Sequence, residues 1–306
     1  MSKPRIGIVG TGWVGSSVAI SILQRGFAGE LWLCDRRAEL AEGEAMDLAH
    51  GSPFYPSAAV RAATLDELRD TEALVIAAGR GGKANESRLD LLRDNAAMAR
   101  GIGEALRGYR GIVIVLSNPV DVLTKVVRDA CGLPPERVVG SGTMLDTARL
   151  RHLIGRELEL DPRSVHAQVV GEHGDSEVLL WSGAQAGGRP LRNWPSWRAS
   201  TEARLGEQVR RAAYEIIRRK GATNHAIGLV TASLLRWMLG GERRIVTVSR
   251  VQQGVLGLSG VALSLPAVVG PLGAVEVVVP EMDAAEAEAL RRSAAIIQRA
   301  VSEIPQ

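Results

Sequence analysis

Short apolar runs alternate with helically spaced apolar residues over the first half of the chain. A continuous apolar run predicts a buried strand, whereas apolar residues three and four positions apart predict a helix. Strands are predicted at residues 5–9, 31–34, 73–79 and 111–116, and helices at residues 16–23 and 89–106. Strands that alternate with helices in this way are typical of an α/β fold with a doubly wound parallel sheet.

A different pattern begins after about residue 142. A long helical stretch comes first, and apolar runs at residues 244–249, 261–266 and 274–279 then predict antiparallel strand pairs. The last helix is expected to begin near Asp283, a good N-cap residue, because apolar residues follow it at helical spacing. A chain of 306 residues exceeds one comfortable core. We therefore predict two domains, residues 1–142 and an α+β domain at residues 143–306.

Three glycines follow the first predicted strand at a spacing that suits a dinucleotide. Gly10, Gly12 and Gly15 form a G-x-G-x-x-G motif between strand and helix. The first permits a tight turn, the second lets a pyrophosphate approach the backbone, and the third lets helix and strand pack closely. Asp35 ends the second strand, where a carboxylate accepts hydrogen bonds from an adenosine ribose and repels a 2′-phosphate. The sequence thus predicts a Rossmann-type domain that binds NAD.

Two further positions are predicted at the reactive end of the cofactor. In open α/β sheets the ligand lies beyond the carboxyl ends of the strands, and Gly79 and Asn118 follow two of these strands. The preference for NAD over NADP is softened by Arg36 and Arg37, since their positive charges lie directly after Asp35.

The composition is that of an ordinary globular protein and excludes several classes. Hydrophobic residues make up 46% and charged residues 23% of the chain, and the net charge is +3 without a run of five like charges. We therefore expect no nucleic-acid partner. Apolar runs are too short for a membrane span, and the N-terminus leaves no room for a signal peptide. Cys34 and Cys131 lack metal-ligand spacing, so we expect no metal, buried free thiols and a cytoplasmic location.

One histidine stands out as a candidate acid–base group. His173 follows the apolar pair Val169-Val170 and lies between Gly171 and Gly174, which leave the backbone free to turn. Its reference pKa near neutrality suits proton exchange with a substrate. Most single histidines in proteins simply pack, so the prediction depends on the residues around it.

Taken together, the motifs resemble the L-lactate and malate dehydrogenase family of 2-hydroxy acid dehydrogenases over essentially the whole chain. Within that family, residues 86–88 and 171–177 place the sequence closer to the bacterial lactate dehydrogenases than to the malate dehydrogenases. The motifs, in order, are the glycine motif with Asp35, residues 87–91, Ser117-Asn118-Pro119-Val120-Asp121, residues 142–149, Gly171-Glu172-His173-Gly174 and Lys220-Gly221-Ala222-Thr223.

The resemblance implies an NAD-dependent dehydrogenase in which four residues act on the substrate. His173 is similar to the family's proton donor, and Asp146 would hold its other ring nitrogen. Arg149 would bind the substrate carboxylate as a bidentate fork, on the same helix face as Asp146. Arg88 would stabilise the charge that grows on the carbonyl oxygen. Taken singly, Arg149 also fits a structural ion pair, Asp146 a helix cap and Arg88 a solvated charge.

The resemblance also implies further contacts and an assembly. Asn118 would hydrogen-bond the reacting oxygen and Thr223 would line the side-chain end of the substrate. Cofactor contacts would extend to Val14, Ser117 and Ser141. Two residues match a fructose 1,6-bisphosphate site at a subunit interface, with a surface charge and a core histidine as the alternatives: Arg151 and His166. The family implies a homotetramer.

At one specificity position the sequence departs from the family. Gly82 stands where lactate dehydrogenases carry glutamine and malate dehydrogenases carry arginine. A missing side chain leaves room for larger 2-oxo acids, while Arg80 or Lys83 could instead meet a dicarboxylate. A plain pyruvate reductase stays the leading prediction, and the alternatives are a dehydrogenase for bulkier 2-oxo acids, a malate dehydrogenase and a non-catalytic NAD-binding protein.

Overall fold

The structure is a computed structural model that describes residues 3–81 and 88–305, with Arg88 described by its main chain only. In the first half, strands and helices alternate as predicted. These elements are β1 (Arg5–Val9), α1 (Trp13–Arg25), β2 (Glu30–Cys34), α2 (Ala38–His50), β3 (Ala59–Ala62), β4 (Ala73–Ile76), α3 (Arg88–Ala105), β5 (Ile112–Val115), α4 (Val120–Cys131) and β6 (Val138–Gly140).

The second half begins with a helix and ends with three strands and a helix. Its elements are α5 (Met144–Leu158), β7 (Val165–His166), β8 (Val169–Val170), β9 (Val178–Leu179), β10 (Gln185–Ala186), β11 (Arg189–Pro190), α6 (Ala199–Lys220), α7 (His225–Leu239), β12 (Arg244–Gln253), β13 (Ser259–Gly270), β14 (Gly273–Val277) and α8 (Ala284–Ser302).

Within the described residues, one sheet of nine strands runs through both halves. Its order is β14-β13-β12-β6-β5-β4-β1-β2-β3, and the six strands β1 to β6, which are neighbours in this order, are parallel to one another. That six-strand order is the one found in dinucleotide-binding sheets, where the order reverses between β1 and β4. The predicted α/β fold with a doubly wound parallel sheet is confirmed.

The antiparallel strands of the second half extend the parallel sheet. β12 joins β6 through the pair Ser249 and Gly140, and β12, β13 and β14 pair with one another in antiparallel register. A side chain at Gly142 would meet Ser264 Oγ at 2.2 Å and the main-chain nitrogen of Ser249 at 2.6 Å. The chain therefore passes from one half to the other through a tightly packed segment.

Some element ends differ from the sequence prediction for a physical reason. β12 and β13 run to residues 253 and 270, past the apolar runs that predicted them. Whereas β13 continues through Pro266 into apolar residues, the extension of β12 carries two buried polar residues, Arg250 and Gln252, whose side chains bond to main-chain carbonyls. A hydrophobic pattern misses such residues, because their burial depends on partners elsewhere in the fold.

The last helix begins where the sequence predicts it. Asp283 caps α8 and accepts a hydrogen bond from the main-chain nitrogen of Glu286, whose side chain in turn accepts one from the main-chain nitrogen of Asp283. Leu290, Ala294 and Ile297 are buried, as their spacing predicts. Among residues 3–81 and 88–305, we find no helix long and apolar enough to cross a membrane.

Both cysteines carry free thiols. Cys131 is buried as expected, but Cys34 is only half-buried, so the prediction of two buried thiols is wrong for Cys34. This residue is the last of β2, where the strand opens into the loop that contains Asp35.

Candidate active site

His173 is held in a turn directly after β8. Gly171 adopts φ +85°, and a side chain there would meet Ser293 Oγ at 2.7 Å, so only glycine fits this turn. The main-chain nitrogen of His173 donates to Asp121 Oδ2 over 2.7 Å. The imidazole keeps 24% of its side-chain surface exposed. The ring is thus fixed from behind and open on one side, as the flanking glycines predict.

A carboxylate from α5 holds this imidazole. Asp146 Oδ2 lies 2.5 Å from His173 Nδ1, and the Asp146 side chain is only 3% exposed. Burial alone would lower the pKa of His173, but the charge and hydrogen bond of Asp146, helped by Asp121, raise that pKa to about 9. The same contacts outweigh burial at Asp146 and lower its pKa. His173 is therefore positively charged at neutral pH and presents its other ring nitrogen, Nε2, for a substrate.

Arg149 lies one helical turn after Asp146, on the same face of α5. Its Nη1 donates to Asp146 Oδ1 over 2.7 Å, and the guanidinium is 14% exposed. This contact uses one of the five N–H donors of the side chain. The i, i+3 arrangement predicted from the sequence is confirmed, and Asp146 bridges the two cationic groups.

These three side chains open into one cavity of about 480 Å³. Asn118 also lines it, and its main-chain oxygen accepts a hydrogen bond from Asn95 Nδ2 over 3.2 Å. The remaining wall includes apolar residues of α3 and α6, namely Leu91, Leu92, Val209 and Ala213. The arrangement offers an anionic ligand two positive charges beside an apolar surface.

Of the other predicted substrate-binding positions, one is not among the residues that line the cavity and two lie outside the described residues. Thr223 lies in the link between α6 and α7, and the described cavity lining does not include it. Gly82 and the side chain of Arg88 lie outside the described residues. Arg80, considered above as a ligand for a dicarboxylate, donates to Asp94 Oδ2 through Nε at 2.9 Å and Nη2 at 2.7 Å.

The glycine motif forms a turn that fits a dinucleotide phosphate. Gly10 has φ +94°, and a side chain there would lie 2.4 Å from the main chain of Ala78. A side chain at Gly15 would lie 1.9 Å from the carbonyl of Gly10, whereas one at Gly12 would meet nothing within 4 Å. The N-cap residue of α1 is Gly12, which has no side chain to cap the helix. The turn therefore presents helix amides beside an open space, as pyrophosphate binding requires.

Asp35 stands at the end of β2 and faces this turn. It accepts hydrogen bonds from the main-chain nitrogen of Thr11 over 2.9 Å and from that of Arg37 over 3.0 Å. Burial alone would raise the pKa of Asp35, but these hydrogen bonds and the hydroxyl of Thr11 outweigh it and lower the pKa. The carboxylate is thus ionised and only half-buried, as contact with a ribose needs.

The other predicted cofactor positions cluster at the carboxyl ends of the strands. A side chain at Gly79 would lie 3.7 Å from Ser117 Cβ. The Ser117 hydroxyl donates to the carbonyl of Ala78 and so fixes the end of β4. The main-chain nitrogen of Ser141 bonds to Val115 over 3.0 Å, and Val14 lies in the first turn of α1. The residues present fit a dinucleotide that crosses these strand ends.

Arg151 and His166 lie away from this cavity. The Nε of Arg151 donates to the carbonyl of Ala167 over 3.0 Å, next to His166 in the chain. Arg151 is half-buried and His166 is exposed. The alternative of a core histidine is therefore wrong for His166, whereas a partly exposed Arg151 still fits a surface charge. Burial lowers the pKa of Arg151.

Sequence reasoning missed two charged residues of the cavity, Glu177 and Arg210. Glu177 precedes β9 and is 5% exposed. Burial, together with repulsion by Asp146, raises its pKa to about 8, against the opposing charges of His173 and Arg210. The only signal in the sequence is a glutamate directly before an apolar run.

Comparison with known proteins gives matches along the whole length. Residues 4–140 match the family described as lactate/malate dehydrogenase, NAD binding domain, and residues 143–305 match its alpha/beta C-terminal domain. The L-lactate dehydrogenase of Thermus aquaticus is 43% identical over 305 residues, which are 97% of this chain and 98% of the relative. The L-lactate dehydrogenase of Kosmotoga olearia is 40% identical over 310 residues, with coverage of 98% and 96%. The crystal structure of the minor L-lactate dehydrogenase from Enterococcus mundtii, in the ligands-bound form, has a TM-score of 0.97 at 36% identity and covers 100% of this chain and 99% of that one.

Proposed function

This chain belongs to the lactate/malate dehydrogenase family, and from that premise we propose that it interconverts pyruvate and L-lactate. It is an NAD-dependent oxidoreductase that acts on a 2-hydroxy acid. The observation that carries the choice of chemistry is the joint presence of His173, Asp146 and Arg149 in one cavity. An acid, its orienting carboxylate and a carboxylate-binding cation are what a 2-oxo acid needs.

Each of these three residues has a definite part in the reaction. Arg149 binds the substrate carboxylate with the N–H groups that its bond to Asp146 leaves over. His173 donates a proton from Nε2 to the carbonyl oxygen in reduction, and accepts it from the hydroxyl in oxidation. Asp146 keeps the proton on Nδ1 of His173 and stabilises the imidazolium, which is present before proton donation in reduction and after proton acceptance in oxidation. NADH, when bound, supplies the hydride.

Further residues complete the proposed site. Asn118 hydrogen-bonds the reacting oxygen, Arg88 stabilises the charge on it, and Thr223 and Gly82 face the side chain of the substrate. The family resemblance supports these four roles. The cofactor is held by the turn at the start of α1, by the ribose contact at the end of β2 and by the strand ends, with the residues Gly10, Gly12, Val14, Gly15, Asp35, Gly79, Ser117, Asn118 and Ser141.

The test is NADH oxidation with a panel of 2-oxo acids. We expect pyruvate to give the highest kcat/KM among pyruvate, oxaloacetate, 2-oxoisocaproate and phenylpyruvate. His173→Asn is expected to lower kcat by about a thousandfold while NADH binding, followed by fluorescence, stays unchanged. Absence of turnover with every acid, in protein that binds NADH, would refute the proposed function.

A second candidate is a dehydrogenase for bulkier 2-oxo acids. The wall formed by Leu91, Leu92 and Ala213 favours it, because an apolar surface with one small residue accepts a branched side chain. Each additional methylene changes binding by only about 1–3 kcal/mol, so such a site would be permissive. In the same panel, a kcat/KM for 2-oxoisocaproate above that for pyruvate would establish this alternative.

We also propose a homotetramer that responds to fructose 1,6-bisphosphate. Exposed apolar side chains on α2, its following turn and α7 support self-association: Met46, Phe54 and Leu229. Arg151 and His166 supply donors for a phosphate. Sedimentation and KM for pyruvate should both change when the bisphosphate is titrated in, and no change in either would exclude this regulation.

Two smaller proposals concern domains and location. We propose that the domains divide after residue 142, which the ends of the two family matches at 140 and 143 support. We also propose a cytoplasmic location, supported by the two free thiols, because such thiols persist in reducing compartments. Limited proteolysis and fractionation of cells test these two statements.

A further inference from the structure

Three carboxylates lie in the turn between β8 and β9, and only one of them is left with an unpaired buried oxygen. Glu172 accepts the hydroxyl of Ser176, and Asp175 Oδ1 accepts the hydroxyl of Tyr214 over 3.0 Å. Glu177 Oε1 is buried and has no hydrogen-bond partner in the part of the chain that the structure describes. A buried ionised oxygen without a partner is strongly disfavoured, so this carboxyl group favours its neutral form.

The charges around Glu177 come from three elements. Asp146 repels its ionised form, while His173, Arg210 and Arg149 attract it. Burial is the largest influence on its pKa, which rises to about 8. The titratable and charged groups that line the cavity with it are Asp146 and Arg149 of α5, Glu172, His173 and Asp175 of its own turn, and Arg210 and Tyr214 of α6.

A bound substrate adds one more negative charge to this cavity. Pyruvate and lactate both carry a carboxylate, which the proposed function places on Arg149. That anion would occupy the same partly desolvated space as an ionised Glu177, where like charges repel strongly. It would also compete with Glu177 for the positive charge of Arg149.

From this arrangement, and on the basis of the proposed function, we propose that Glu177 is a binding residue that controls substrate affinity: its neutral form admits the substrate carboxylate and its ionised form repels it. Glu177 thereby sets the upper pH limit for binding of both the oxidised and the reduced substrate. It donates no proton to the reacting atoms, so it acts on affinity and leaves the hydride-transfer step to His173.

With rising pH, the effects of Glu177 and His173 on binding have the same sign for the 2-oxo acid and opposite signs for the 2-hydroxy acid. Loss of the His173 proton weakens binding of the 2-oxo acid, which needs the acid form, and strengthens productive binding of the 2-hydroxy acid, which needs the base form. Ionisation of Glu177 weakens binding of both, since each carries a carboxylate. The two groups can therefore be separated even though their pKa values lie close together.

The experiment measures KM for pyruvate and for L-lactate from pH 7 to pH 9 in wild-type protein and in Glu177→Gln, at saturating cofactor. Glutamine keeps the shape of the neutral carboxyl group but cannot ionise. With a pKa of about 8, the neutral fraction falls about tenfold over this range. The ratio of wild-type KM to variant KM should therefore rise by about tenfold for both substrates.

Other outcomes are distinguishable from this one. A ratio that is constant with pH would show a merely structural role and overturn the proposal. Ratios that move in opposite directions for pyruvate and lactate would mean that Glu177 acts only through His173, which also overturns it. If the wild-type protein turns over no 2-oxo acid, the proposed function fails first. The matched control is Glu207→Gln, an exposed α6 carboxylate paired with Arg211, which should leave the KM profiles unchanged.

A second measurement on the wild-type protein keeps the proposal testable if the variant does not fold. Oxamate, the amide analogue of pyruvate, is titrated calorimetrically into the NADH complex at pH 8 in buffers of different ionisation enthalpy. Binding should take up about half a proton through Glu177 and about a tenth through His173. An uptake below about 0.2 proton would overturn the proposal.

Discussion

Replacement of Asp146 by asparagine tests whether this carboxylate sets the acidity of His173. The substitution keeps the shape of the side chain but removes the charge that lies 2.5 Å from His173 Nδ1. With Asp146 present, the pKa of His173 is raised from 6.5 to about 9. We expect the pKa of His173 in Asp146→Asn to fall back to about 6.5 or below, because burial and Arg149 then act against the charged ring with only Asp121 opposing them.

The size of the effect follows from these values. A pKa difference between 9 and 6.5 corresponds to about 3 kcal/mol in favour of the imidazolium. At pH 8, the protonated fraction would fall from about nine-tenths to about one-thirtieth. The kcat/KM for pyruvate should therefore fall at least about thirtyfold at this pH, and much less at pH 6.

The assay is the pH profile of kcat/KM for pyruvate and for L-lactate, measured by NADH absorbance. In the wild-type protein, the alkaline limb for pyruvate should begin near pH 8, where Glu177 ionises, and steepen near pH 9, where His173 loses its proton. In the variant it should begin near pH 6.5, because the acid form of His173 is lost earlier. For lactate, the acid limb should move in the same direction, because the base form persists to lower pH. An alkaline limb that still begins near pH 8 in the variant would refute this account of the pair.

The other predictions concern the cofactor turn, the choice of cofactor and stability. Gly15→Ala should destabilise the protein by about 3 kcal/mol or more, since its Cβ would lie 1.9 Å from a carbonyl oxygen. Gly12→Ala should keep the wild-type Tm and raise the Kd for NADH, because its Cβ would meet nothing within 4 Å. Equal losses of Tm in calorimetry for the two variants would contradict this prediction. In Asp35→Ala, the kcat/KM with NADPH divided by the kcat/KM with NADH should rise by about tenfold, because the carboxylate that repels the 2′-phosphate is removed. An unchanged ratio would mean that other residues determine the choice of cofactor. The raised pKa of His173 stabilises the folded state fully below about pH 6.5 and loses this contribution as pH rises through about 9. Urea unfolding should therefore show a shallower decline from pH 6.5 to pH 9 in His173→Asn than in the wild-type protein.

Much of the fold could be predicted because it depends on local regularities. β1 and the start of α8 lie where the sequence places them, since an apolar run and an aspartate cap are sufficient signals. The longer course of β12 could not be predicted, because Arg250 and Gln252 are buried by hydrogen-bond partners on other strands.

The same distinction holds for the candidate site: features that depend on local spacing could be predicted, and features that depend on distant partners could not. The contact between Asp146 and Arg149 follows from helical spacing, and the glycine motif from its conformational needs. The raised pKa of Glu177 has no local signature, because the charged groups that act on this carboxyl group come from α5, α6 and its own turn together. His166 shows the reverse case, since a histidine flanked by apolar residues proves to be exposed.

The joint between the halves has a consequence for dissecting this protein. β6 and β12 pair directly in the sheet. Gly142 and Thr143, which follow β6, pack against Ser249 and Ser264. Cutting the gene there would leave each fragment with a naked strand edge, and such edges recruit other chains into aggregates. Chimaeras with other members of the family should therefore exchange rim loops and helices, and keep the strands on both sides of this seam from a single parent.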